Sequence, residues 1–117
     1  MMRDKYAPHI DFEELSGLLG KVVPSNVDMV LERKGHFLFG EWKRDGEKIS
    51  KGQEILLKAL SGLPKTTVLV VSGDTDNGMR VERFWKVLSN SQCIECGKGL
   101  IAFKNYITEW YLVADFD

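Results

Sequence analysis

The stretch NVDMVLERKGHFLFGEWK, residues 26–43, decides the reading of this chain. Its first part is rich in β-branched and apolar residues, Lys34-Gly35 can turn the chain, and residues 36–43 return as a second strand, so a β-hairpin is expected. If Lys34 and Gly35 form a two-residue turn, Asp28 lies directly opposite Glu41, and such pairs have Cβ atoms about 4.5–5.5 Å apart. Side chains alternate along a strand, so Lys43 emerges on the face of Glu41. Val27, Met29, Leu31, Leu38 and Trp42 take the other face and read as core. Lys-Gly is not a favoured hairpin dipeptide, and a slip of one residue turns Asp28 to the wrong face. The register is therefore the point on which the reading depends.

Outward from the hairpin, Asp11 and Glu14 form a capping box ahead of Phe12, Leu15, Leu18 and Leu19, which predicts a first helix ended by Gly20 and Pro24. A second helix is expected from near Ser50, with Ile49, Gln53, Leu56, Leu57 and Leu60 on one face and Gly62 at its end. Residues 66–72 are a continuous apolar run bounded by turn signals, as in a strand buried on both faces. Alternation over Arg80–Leu88 favours a further strand, and residues 98–113 read as a helix. The fold class expected is α/β, a central mixed β-sheet flanked by helices. The order is α-β-β-α-β, then an extra strand and a C-terminal helix. The 117 residues form one domain, 1–117.

Two facing carboxylates repel unless a cation lies between them. A hard divalent ion such as Mg²⁺ suits that position, since it accepts one or two carboxylates plus waters and substrate phosphates. A nearby lysine is not a ligand for it, but can orient or deprotonate a water or stabilise charge on a phosphate. Asp28, Glu41 and Lys43 thus point to phosphodiester hydrolysis.

On these residues the chain resembles the PD-(D/E)XK nuclease superfamily. The likeness rests on Asn26-Val27-Asp28, the hairpin, Glu41-Trp42-Lys43, and Ile49-Ser50-Lys51-Gly52-Gln53 opening a helix. It covers roughly residues 11–72 and is greatest to the small stand-alone nucleases of the VRR-NUC and Holliday-junction-resolvase-like type. No proline directly precedes Asp28; Pro24 lies four residues earlier. The resemblance implies a restriction-endonuclease-like core and a metal-dependent DNA endonuclease. Asp28 and Glu41 would be the ligands of Mg²⁺ or Mn²⁺, Lys43 would act in catalysis, and Gln53 would match the glutamine of the VRR-NUC branch. Glu14 would match a first-helix glutamate of some resolvase-like members. A homodimer and a phage or mobile-element setting are also implied by resemblance.

The formal charge is −1, which argues against coating nucleic acid by bulk charge. The average conceals eight basic and four acidic residues in 33–65. Arg33, Lys34, Arg44, Lys48 and Lys51 in that window are candidate phosphate contacts. One domain of this size leaves little room for a base-reading module, so substrate structure or a protein partner would supply specificity. No apolar run approaches a membrane span, and the start lacks a signal-peptide pattern, so a cytoplasmic location is expected, the host cytoplasm if the source is viral. Cys93-Ile94-Glu95-Cys96 offers half of a tetrahedral zinc site and is no disulfide framework. The second reading of function is a catalytically inactive nuclease-fold module that binds DNA or a protein; a third is a zinc-stabilised interaction protein built on Cys93 and Cys96.

Overall fold

A computed structural model describes residues 12–22, 24–90 and 92–117. Five strands make one mixed sheet in the order β1-β2-β3-β4-β5. They are β1 (Met29–Arg33), β2 (His36–Lys43), β3 (Thr66–Asp74), β4 (Arg80–Val87) and β5 (Cys93–Lys98). Helix α1 (Lys51–Ser61) connects β2 to β3, and α2 (Gly99–Phe116) follows β5. Only β2 and β3 are parallel; the other neighbours are antiparallel.

The hairpin has the expected register: Arg33 pairs with His36 and Met29 with Gly40, which leaves Asp28 next in line against Glu41. Lys34 (φ 51°) and Gly35 (φ 83°) both adopt left-handed backbone, the requirement of a type I′ turn whose twist matches the flanking strands. Glycine supplies this at no steric cost; Lys34 supplies it against its preference.

Helix α1 starts where the sequence says. The Ser50 hydroxyl accepts from the Gln53 backbone N–H at 3.2 Å, and the Gln53 side chain accepts from the Ser50 N–H at 3.4 Å. Its apolar stripe packs Leu57 onto Val68, Val70 and Val87, flanked by Phe39, Ile49, Leu60 and Trp85. Helix α2 covers the other face, where Phe103 joins Leu38, Leu69, Val71, Val81 and Phe84. The apolar run of β3 is therefore buried from both sides: Val68, Leu69, Val70 and Val71 are all 7% exposed or less. Burial of each such side chain contributes about 1.5–3 kcal/mol.

Three expectations change. The first helix does not form: Glu13–Leu15 is one 3-10 turn, followed by tight bridged turns between Gly17 and Gly20 and between Leu19 and Val22. Gly17 (φ +82°) and Gly20 (φ +68°) break the helical path, and Leu18 and Leu19 stay exposed. The Asp11 cap lies outside the described residues. Residues 93–98 form a fifth strand, and α2 runs on to Phe116. The C-terminal end of α2 is tied back to the hairpin turn. Arg33 Nε donates to Asp115 Oδ1 and Lys34 Nζ to the Asp115 carbonyl, each at 2.7 Å, while His36 pairs with Asp117. Among the described residues, no helix is long and apolar enough to cross a membrane.

Candidate active site

A parallel connection through a helix brings the helix start to the carboxyl ends of its two strands, where α/β sheets bind ligands. Here it brings the first turn of α1 to Glu41 and Lys43 at the end of β2. Gln53 is the joint. Its side-chain Nε2 donates to Glu41 Oε1 at 2.9 Å, and its Oε1 accepts from Lys43 Nζ at 2.7 Å. Lys43 Nζ also lies 3.6 Å from Glu41 Oε1. Gln53 thus caps its helix and holds the site with the same amide. Asp28 is fixed from the hairpin side, where its Oδ2 accepts the Trp42 backbone N–H at 2.8 Å.

Glu41 is the one buried charged residue among those described, at 5% exposure. Burial pushes its carboxyl above the usual carboxylate range, the Asp28 charge raises it further, and the two groups are close enough to share a hydrogen bond. Lys43 and Gln53 pull the other way without reversing the shift. A raised folded-state value means that folding favours protonated Glu41. The ionised group's cost is complete above that value and disappears as pH falls through it. In metal-free buffer Glu41→Gln is therefore expected to melt at a higher temperature than the natural chain at pH 7, with the margin closing as pH falls toward 4. Thermal melts across that range check it; a variant that melts lower throughout contradicts it.

Two adjacent carboxylates, one of them desolvated, fit a hard divalent ion, which completes its shell with water. They do not make a closed cage: no group of three or more His, Cys, Asp or Glu converges among the described residues. Asp28 and Glu41 are the residues that would hold the ion.

The other sequence candidates separate. Glu14 is exposed on the 3-10 turn and does not join Glu41 or Lys43 through any hydrogen bond found among the described residues. Arg44, Lys48 and Lys51 flank the site on the loop before α1 and at its first turn, and Arg44 forms a forked pair with Asp76. Arg33 and Lys34 do not: they sit at the far end of the hairpin, about 20 Å along the strand, engaged with Asp115. Cys93 and Cys96 do not meet as zinc ligands. A register shift between Phe84 and Trp85 makes Cys96 the extra residue on β5. Cys96 packs on the α2 face, where burial and this thiol push the Tyr106 phenol up to about 12. Cys93 is exposed and lines a cleft on the α1 face.

Local sequence patterns do not reveal that cleft. It opens beside Lys43, has a volume of about 670 Å³, and is walled by Ile49, Val70 and Trp85. Trp85 reads as core from the sequence, and only the strand pairing places it on this side.

No protein-family model, no curated protein and no solved structure matches the chain.

Proposed function

We propose that this chain is a divalent-metal-dependent DNA endonuclease with a restriction-endonuclease-like core. The observation that carries the reading is the single hydrogen-bonded unit of Glu41, Gln53 and Lys43 with Asp28 fixed beside it. The hairpin, α1 and the parallel strand β3 supply the β-β-α-β part of the order that the resemblance implies, without its first helix. When bound between Asp28 and Glu41, Mg²⁺ or Mn²⁺ would supply a polarised phosphate and a more acidic water. Lys43 holds its ammonium at the mouth of the cleft, donating one N–H to Gln53 Oε1 and lying 3.6 Å from Glu41 Oε1 as an ion pair. Its remaining N–H groups can stabilise charge that builds on a phosphate oxygen. Gln53 keeps Lys43 and Glu41 in register, and Lys48 and Lys51 add phosphate contacts around the site.

The test is cleavage of supercoiled plasmid and of branched DNA with Mg²⁺, Mn²⁺ or a chelator. Metal-dependent products are expected, and Glu41→Ala protein should give none. Persistent cleavage by that variant, free of contaminants, overturns the assignment. DNA binding that no metal alters and no cleavage follows would favour the inactive DNA-binding module.

A further inference from the structure

The cleft beside Lys43 has features that a phosphate alone does not need. Glu41, Val70 and Trp85 lie in one row across three neighbouring strands, since Glu41 pairs with Val70 and Val70 with Trp85. Strands are about 4.8 Å apart, so Trp85 stands about 10 Å from the Glu41 backbone. Trp85 is half-buried: it packs on the cluster of Leu57, Val70 and Val87 and also forms a wall of the cleft. The charges argue against a second phosphate there. Asp45, Glu47 and Glu82 line the cleft against Lys43 and Arg44, and Arg44 is already paired with Asp76. An apolar floor, one aromatic wall and an acidic rim suit a flat, uncharged group that carries N–H donors. Lys43, shared by cleft and site, sets the phosphate end.

We propose that this cleft receives an unpaired nucleobase that stacks on Trp85, one nucleotide from the phosphate held at Lys43. The inference rests on the nuclease reading and narrows its substrate to DNA with a single-stranded or flipped-out nucleotide at the cut. Aromatic faces stack on any base, and Glu82 on the rim can accept from an exocyclic amino group. A base inside a duplex is stacked on its neighbours and does not enter.

The experiment measures binding of a short labelled single strand, and of the same strand in duplex, in chelator so that nothing is cut. The natural chain should prefer the single strand. Trp85→Ala should weaken single-strand binding about tenfold and leave duplex binding unchanged, whereas Trp85→Phe should keep most of the preference. A second measurement uses the natural chain alone: the single strand, and not the duplex, should slow alkylation of Cys93, whose thiol lines the cleft. Equal binding of both DNA forms, an unaffected Trp85→Ala protein, or an unprotected Cys93 overturns the inference. A chain that cuts DNA while Trp85 proves indifferent loses this inference and keeps the nuclease reading. A chain that never cuts but shows both Trp85 dependence and Cys93 protection keeps the cleft and loses the chemistry.

Discussion

Lys43→Ala is expected to slow metal-dependent DNA cleavage by about 10²–10⁴-fold while leaving the divalent ion bound. The ammonium is not a ligand; it lies 3.6 Å from Glu41 Oε1 and 2.7 Å from Gln53 Oε1, with its side chain only 14% exposed. Its removal takes away charge needed when a phosphate gains negative charge, and leaves both carboxylates in place. One indirect effect follows from its attraction for Glu41. Without Lys43 the Glu41 carboxyl rises further, so ion binding should be compared at alkaline pH, where Glu41 is ionised in both proteins. Glu41→Ala should lose cleavage and ion binding together. Cleavage by Lys43→Ala at the natural rate would remove Lys43 from the chemistry.

Phe84→Ala should be the most damaging change to the fold, at about 3–5 kcal/mol. Phe84 is 1% exposed at the centre of the α2 face. Its ring meets Phe103 edge-on at 5.2 Å and Tyr106 at 5.6 Å, and it closes against Gly97 of β5. The truncation therefore loosens α2, β4 and β5 at once. Domains of this size have about 5–15 kcal/mol of stability in all, so the variant should lose roughly 10–20 °C in Tm. Thermal melts followed by tryptophan fluorescence measure the loss in Tm, and urea unfolding measures the loss in free energy. A midpoint equal to that of the natural chain would mean that α2 does not pack on β4 as described.

The parts of the molecule legible in the sequence are those set by neighbours along the chain. The hairpin register follows from a two-residue turn and strand alternation, and it brings Asp28 to Glu41. Ser50 and Gln53 announce the helix that delivers Gln53 to the site. What was not legible depends on partners far along the chain. Arg33 and Lys34 read as part of the basic window along the chain, and only the fold shows that Asp115, 82 and 81 residues away, pairs with both. Cys93 and Cys96 look like a ligand pair until β5 turns them to opposite faces. The Asp11–Leu19 pattern promises a helix, but Gly17 takes left-handed backbone within it and Leu18 and Leu19 stay exposed. Trp85 becomes a cleft wall only because β4 pairs with β3 in one register.

Titration of Mn²⁺ into the natural chain and into Asp28→Asn, followed by calorimetry at neutral pH, tests whether Asp28 and Glu41 together hold a divalent ion. Asp28 is exposed and accepts the Trp42 backbone N–H, a bond that an amide oxygen can also accept, so the amide variant keeps the fold and removes the charge opposite Glu41. One ion should bind the natural chain and none Asp28→Asn. No binding by the natural chain, or binding that the variant retains unchanged, would contradict it.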